Sequence, residues 1–260
     1  MLSVGGELHS TFETLLQQVS VTPIVTEAIG LGENEATLTS FLMPIAEREL
    51  PTFNDAVYLS QPFFFVFLQI LLLLVTTYAL GSESKFGTSD EWLHTAQGSI
   101  GVAVLGKLLP YTGIFIVTSM LGNAVFFGWM QSPISTSLWT IQGTTILFIL
   151  ATQALALFLY AIFPALSLII SVVSMVGSLG ATLAGVTFPV AFMDSPVYVA
   201  SFLFPIRHFI EVVDSLLYLD GTFTDYGMNI VLLLLFILLP LLLLPRLKHA
   251  LITHNYDAIE

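Results

Sequence analysis

Two short motifs bring together residue types that could do chemistry. His208, Glu211 and Asp214 are spaced so that they share one face of a helix. Such a trio could bind a metal ion, relay protons or form a polar gate. Three ligands on one helix leave a tetrahedral metal site incomplete. We therefore predict a structural or gating role for this cluster, in which Arg207 pairs with Glu211.

The second motif runs from Gly101 to Lys107 and matches the G-x-x-x-x-G-K pattern of a phosphate-binding loop. Leu108 stands where that loop needs a Ser or Thr to hold Mg²⁺, and no strand precedes the motif. We interpret the motif as a glycine-broken start of a helix, with Lys107 reaching toward the polar boundary. The chain has no Cys, which excludes thiolate catalysis and Cys-ligated zinc. The sequence predicts no catalytic, cofactor-binding or metal-binding residue.

The composition restricts the class of protein. The chain has 260 residues, of which 56% are hydrophobic and only 9% charged, with a net charge of −12. An average soluble protein has about 25% charged residues. So few charges exclude an ordinary soluble enzyme and a disordered chain, and the acidic balance excludes a nucleic-acid partner. The length is better divided into bilayer spans of about 20 apolar residues each.

The sequence predicts an all-α integral membrane protein with a bundle of about five transmembrane helices. The five apolar stretches cover residues 61–80, 107–129, 138–163, 165–188 and 228–244. The fourth contains many small residues, which let membrane helices approach closely, so we expect it in the bundle interior or at a subunit interface. The spans contain no Asp, Glu or Arg at mid-depth. This argues against a proton-coupled transporter or a polar channel.

Two longer segments interrupt the spans. In residues 81–106, Thr88 or Ser89 can cap a short amphipathic helix. Its first turn would hold Asp90 and Glu91, and its apolar face Trp92, Leu93 and Ala96. Residues 189–227 are apolar but broken by prolines, which predicts short helical pieces around residues 197–203 and 206–219. Such backbone at membrane depth must be covered by protein or face a watery cavity.

The positions of the basic residues predict the orientation. Four of the six would be cytoplasmic if the 81–106 segment is inside, namely Lys85, Lys107, Arg246 and Lys248. The acidic residues 1–60 would then lie outside, and the 251–260 tail inside. Nothing in residues 1–60 resembles a signal peptide or a preceding span. We therefore expect residues 1–60 to be a remnant of an extracytoplasmic soluble domain, in a chain whose natural N-terminal part is missing or whose start is misassigned.

Three stretches carry a resemblance to a known family. Residues 79–111 read ALGSESKFGTSDEWLHTAQGSIGVAVLGKLLPY, and residues 184–211 read AGVTFPVAFMDSPVYVASFLFPIRHFIE. The third stretch is the Leu-rich last span with its short basic end. Together they resemble the membrane subunits of ATP-binding-cassette (ABC) transporters of the type-2, export-type permease family. Members of this family usually have six spans, and some have a soluble extracytoplasmic domain after the first.

The resemblance implies roles for named residues. A coupling element that touches the ATPase would contain Glu83, Gly87, Thr88, Glu91 and Trp92. An outer re-entrant hairpin, acting as a gate, would contain Phe188, Pro189, Met193, Pro196, Pro205, Arg207 and His208.

The resemblance also implies partners and a location. A separate ATPase subunit would hold ATP and Mg²⁺, so this chain would need no cofactor and would not itself be an enzyme. A second permease subunit, identical or different, would complete the transporter. The expected location is the bacterial cytoplasmic (inner) membrane, and the expected cargo is hydrophobic, amphipathic or lipid-linked.

Two alternatives stay open. One is a membrane-embedded enzyme that modifies a lipid, with His208, Glu211 and Asp214 as an outer catalytic cluster. The other is a membrane scaffold without transport activity.

Overall fold

The computed structural model describes residues 55–130, 132, 136–186, 193–217 and 223–253. The described chain is helical, and it contains no strand. The α-helices are α1 (Asp55–Lys85), α2 (Ser89–Thr95), α3 (Ile100–Asn123), α4 (Leu138–Ile162), α5 (Leu166–Leu183), α6 (Ser195–Ser201), α7 (Pro205–Leu217), α8 (Phe223–Leu238) and α9 (Leu244–Ile252). A π-helical turn, Ala124–Trp129, extends α3, and a 3-10 turn, Leu239–Leu242, joins α8 to α9.

Five helical segments in the described chain are long and apolar enough to cross a membrane. They are Leu59–Lys85, Ile100–Trp129, Leu138–Ile162, Leu166–Leu183 and Tyr226–Ile252. A sixth candidate is the pair α6 and α7, which is bent by 91° and is either a broken span or a re-entrant loop. The prediction of an all-α membrane protein with about five transmembrane helices is confirmed.

Two helices begin earlier than the apolar pattern predicts. Helix α1 starts at Asp55, so Pro62 lies inside the helix and not in its first turn. Helix α3 starts at Ile100, so Gly101, Gly106 and Lys107 are helical residues and not a broken beginning. Gly and Pro are common in membrane helices, where neighbouring segments satisfy the freed backbone groups. The predicted soluble segment lies, up to residue 54, outside the described residues.

Helix α4 is the centre of the bundle. It contacts α1, α3, α5, α7, α8 and α9, and 67% of its most apolar 18-residue stretch is buried. In the last span, Tyr226–Ile252, only 11% of the most apolar 18-residue stretch is buried. Aromatic residues fill the core beside α7, where Phe209 stacks on Phe148 of α4 with ring centres 4.4 Å apart. Phe65 of α1 meets the same Phe209 ring edge-on at 4.7 Å.

Small residues bring α5 close to α1. A Cβ atom on Gly180 would lie 2.6 Å from the Gln69 Nε2 atom and 3.1 Å from Phe204. A Cβ on Gly177 would lie 3.2 Å from the Ile70 side chain. These glycines therefore set the distance between the two helices. One face of α5 is thus packed in the bundle, as the small residues predict.

Candidate functional site

The end of α1, the start of α2 and the first third of α3 meet at one carboxylate. Glu83 accepts a hydrogen bond from the Thr88 hydroxyl and forms an ion pair with Lys107. Gly87 makes the turn between α1 and α2 with φ +68°, a conformation that side chains other than glycine rarely adopt. We call Glu83, Thr88 and Lys107 the Glu83 network. It links three helices that are separate in sequence.

Lys107 is a residue of this site that the sequence analysis missed. Its ammonium group also lies 5.3 Å from the centre of the Trp92 ring, within the range of a cation–π contact. Its side chain is only 17% exposed because it pairs with Glu83, a contact that the sequence does not predict. Residues 81–107 contain three acids and two bases, and no spacing along the chain selects the pair of Glu83 with Lys107.

Helix α2 has a buried side and an exposed side. Leu93 is buried, and Trp92 and Ala96 pack against the same core as Leu247 and Leu251 of α9. The predicted amphipathic helix is therefore confirmed. The exposed side carries Asp90, Glu91 and His94. Thr88 does occupy the N-cap position, but its hydroxyl donates to Glu83 and does not cap the helix.

A second polar site lies in the hairpin formed by α6 and α7. Arg207 is 2% exposed, and its guanidinium lies 4.1 Å from the Phe202 ring centre and 4.6 Å from the Tyr198 ring centre. It also donates to the Ser201 hydroxyl and to the Tyr198 carbonyl oxygen. Its Nη2 atom lies 2.9 Å from Glu211 Oε1, which confirms the predicted pair. Arg207 thus fastens the two arms of the hairpin together.

His208 attaches the hairpin to α8. The residue is fully buried, with Nδ1 3.0 Å from Asn229 Oδ1 and Nε2 3.1 Å from the Phe202 carbonyl oxygen. Both ring nitrogens therefore have neighbours at hydrogen-bond distance. Glu211 is paired with Arg207 instead, so the structure does not bring His208, Glu211 and Asp214 together around one point. The described residues contain no group of three acidic, His or Cys side chains that could hold a metal ion.

The other residues of the predicted gate are spread along the same segment. Met193 precedes α6, Pro196 lies in its first turn, and Pro205 begins α7 and is buried. Phe188 and Pro189 lie outside the described residues. The hairpin itself, two short helices separated by a sharp bend, agrees with the two helical pieces expected from the prolines.

Comparison with protein families identifies the chain. The model of a family described as ABC-2 family transporter protein matches residues 3–244. The chain belongs to this ABC-2 family. No curated protein sequence matches it at a significant level. The resemblance read from residues 79–111 and 184–211 is therefore confirmed, and the chain is a membrane-embedded permease subunit of an ABC transporter.

One further surface of this ABC-2 permease has a regular pattern. Hydroxyl residues form an exposed line along α5, on positions that face away from α1, and we call it the hydroxyl face. Its members are Ser167, Ser171, Ser174, Ser178 and Thr182. From Ser171 onward each hydroxyl donates to a carbonyl oxygen one turn earlier in the helix. These bonds satisfy the hydroxyl protons in lipid and leave the oxygens able to accept.

Proposed function

We propose that this permease belongs to an exporter, pairs with a second permease subunit and is driven by a separate ATPase that docks on α2. The ATPase would bind ATP and Mg²⁺, and this chain would hold no cofactor. The membership of the ABC-2 family supports the partnership with an ATPase. The predicted orientation puts α2 and the C-terminus in the cytoplasm of a bacterium and the hairpin outside.

The observation that carries this proposal is the Glu83 network. A docking helix can transmit force only if it is attached to helices that cross the membrane. Glu83 lies in the last turns of α1, Thr88 directly precedes α2, and Lys107 lies in α3. A movement of α2 would therefore displace both transmembrane helices. The coupling element would consist of Glu83, Gly87, Thr88, Glu91 and Trp92, and we add Lys107 to it because it pairs with Glu83.

The hydroxyl face of α5 supports a path between two permeases. Its opposite side is already packed on α1 through Gly177 and Gly180, so the hydroxyl face is available to a second subunit. Hydroxyl groups without charges suit a cargo that is hydrophobic, amphipathic or lipid-linked. The hairpin of α6 and α7 would close this path on the outer side, with Arg207 and His208 keeping it a single unit.

The proposal is tested by replacing Glu83 with Gln in the complete transporter. The neutral side chain cannot hold the Lys107 ammonium as an ion pair, so the polar link from α1 to α3 beside α2 is weakened while the apolar packing of α2 remains. We expect ATPase docking, measured by co-purification at graded salt, and export each to fall about tenfold, which corresponds to about 1.4 kcal/mol of coupling free energy. Asp194→Asn, an exposed change of the same type beside α6, is the matched control. Docking and export that equal those of the control would contradict the coupling role.

A further inference from the structure

A cleft of about 540 Å³ opens between α3, α4 and the junction of α8 with α9. Its volume lies within the range of small-molecule sites. The described residues that line it are all uncharged. The two polar side chains among them pair with each other, since the Thr112 hydroxyl donates to Gln153 Oε1 at 2.8 Å. The surface of the cleft is therefore almost entirely apolar, as a hydrocarbon chain requires.

The cleft follows α3 inward from the polar end of the span. Gly101, the second residue of α3, lines one end of the cleft, and Ile116 lines the other. At 1.5 Å per residue, these two positions are about 22 Å apart along the helix. The hydrocarbon core of a bilayer is about 30 Å thick, so one leaflet supplies about 15 Å. An acyl chain of the adjacent leaflet can therefore lie in the cleft over its whole length.

The wall of the cleft is open on one side. Leu105 and Leu109 of α3 line it and are 69% and 70% exposed. In a membrane these side chains face lipid. None of the lining residues belongs to α1 or α5, so the cleft is separate from the hydroxyl face. A lipid molecule can thus enter the cleft sideways from the bilayer.

A lysine without an acidic partner lies beyond the polar end of the cleft. Leu244, the first residue of α9, lines the cleft, and Lys248 follows it by four positions. The two residues therefore share one face of α9, one turn apart. Lys248 is partly buried and forms no ion pair with the described residues, whereas Lys107 is already held by Glu83. Lys248 thus places an uncompensated positive charge next to an apolar wall.

The acids at this end of the bundle lie elsewhere. The first turn of α3, which contains Gly101, has no acidic residue. Glu83 is paired with Lys107, and Asp90 and Glu91 lie on the exposed side of α2. None of these three acids lines the cleft. The charge of Lys248 is therefore complementary to an anion carried by the molecule in the cleft.

We propose that this cleft binds an anionic phospholipid, with one acyl chain along the apolar walls and the phosphate at Lys248. A neutral lipid would fill the cleft but leave the lysine unpaired. A soluble phosphate would pair with the lysine but leave the walls uncovered. Basic pockets between membrane helices bind anionic headgroups on the cytoplasmic side, where the predicted orientation puts this end. The site does not depend on the coupling role of α2.

Two basic residues of α9 provide a matched pair of variants. Lys248→Gln removes the charge on the face that continues the cleft. Arg246→Gln removes a charge from the same helix, but Arg246 is exposed and lies about 200° around the helix from Leu244. A general attraction of anionic lipid to the basic end of the span would be weakened equally by both variants. A site at Lys248 is weakened by only one.

A glycine in the wall offers a way to fill the cleft. Gly113 lines the cleft, and a Cβ atom added to it would meet no other atom within 4 Å. Gly113→Leu should therefore occupy the space of the acyl chain and leave the helix packing intact. Gly106 is also in α3 and also has open space around it, but it does not line the cleft. Gly106→Leu is the matched control.

The experiment uses photolabelling of the full chain in phosphatidylcholine vesicles. The probes are phosphatidylglycerol and phosphatidylcholine with the same diazirine-bearing acyl chain. We expect phosphatidylglycerol adducts on α3, α4 and the α8–α9 junction, competed by unlabelled phosphatidylglycerol. Lys248→Gln should weaken these adducts about fivefold, as expected for one lysine at an anionic headgroup, and leave phosphatidylcholine labelling unchanged. Arg246→Gln and Gly106→Leu should change neither probe, and Gly113→Leu should abolish the cleft adducts.

Equal cleft labelling by the two probes would overturn the proposal, because the site would then not select an anion. Equal losses in Lys248→Gln and Arg246→Gln would overturn it as well, and so would the absence of cleft adducts from both probes, which would indicate that protein covers the cleft. If Gly113→Leu does not fold, the comparison of Lys248→Gln with Arg246→Gln decides alone, since both change an exposed or partly exposed side chain.

Discussion

Two polar sites of the described chain, the Glu83 network and the hairpin of α6 and α7, are built from similar side chains but connect different parts of the protein. In each, a basic side chain lies against an aromatic ring and pairs with a Glu. Lys107 and Glu83 are 17% and 20% exposed and connect three helices. Arg207 is almost completely buried, and its partners Tyr198, Ser201 and Glu211 all belong to the hairpin. The first site joins elements to one another, whereas the second holds one element together.

The difference suggests how each site would behave when the transporter moves. A partly exposed ion pair is weak, so the Glu83 network can rearrange at small cost while still transmitting a displacement of α2. A buried guanidinium cannot lose its partners without leaving an uncompensated charge. The hairpin should therefore move as a unit. His208 is its polar attachment to α8, and Phe209 packs it on α4 and α1.

Arg207→Ala should give the largest loss of stability. The change leaves the Glu211 carboxylate and the Tyr198 carbonyl without their donor and opens a space between Tyr198 and Phe202. We expect the free energy of unfolding to fall by about 3 kcal/mol, as for other broken buried pairs. Arg207→Lys keeps the charge but loses the planar fork, so an intermediate loss is expected. Thermal unfolding of both variants in detergent measures this, and an unchanged Arg207→Ala would refute the description of the hairpin.

His208→Ala should cost about 2 kcal/mol of unfolding free energy, because the Asn229 side chain and the Phe202 carbonyl oxygen each lose a buried partner. Asn229→Leu should cost less, and the double variant less than the sum, since the two residues contact each other. The double-mutant cycle measured by thermal unfolding checks this. If His208 were instead a catalytic residue, His208→Ala would leave stability unchanged and abolish the turnover of a lipid by the purified chain without an ATPase.

Gly180→Ala should cost about 1–2 kcal/mol, because its new methyl group would overlap Gln69 and press on Phe204. Gly143→Ala in α4 is the matched control, since a Cβ there meets nothing within 4 Å. Alanine is the better helix former, so the control should be neutral or slightly stabilising. This pair of variants tests whether α5 owes its position to close contact with α1. Equal stability of the two variants, by thermal unfolding, would show that it does not.

Glu83→Gln should have the smallest effect on stability, about 1 kcal/mol, because the pair with Lys107 is partly exposed. Its effect on docking and export should nevertheless exceed that of Arg207→Lys. A Glu83→Gln variant that unfolds as readily as Arg207→Ala would remove the contrast between the two sites. Chemical unfolding of the purified variants provides the comparison.

The sequence predicted those features that depend on neighbours along one helix. The pair of Arg207 with Glu211 has the spacing of one helical turn, and the apolar side of α2 follows from Trp92, Leu93 and Ala96. The pair of Glu83 with Lys107 was not predictable in this way, because it depends on how α1 and α3 come together in space. The contact of Thr112 with Gln153 has the same origin. The sequence did not predict that α1 starts at Asp55 and α3 at Ile100, because composition marks the apolar part of a helix and not the residue at which the helix begins.

The central claim is that α2 is the surface on which an ATPase docks, and site-specific crosslinking tests it most directly. A photoreactive residue is placed at Glu91, on the exposed side of α2, or at Val199, which is exposed on α6. The account predicts that the Glu91 position captures a subunit that binds and hydrolyses ATP and that the Val199 position does not. It also predicts that Glu83→Gln reduces this capture. No ATPase captured from Glu91, or equal capture from both positions, would contradict the account.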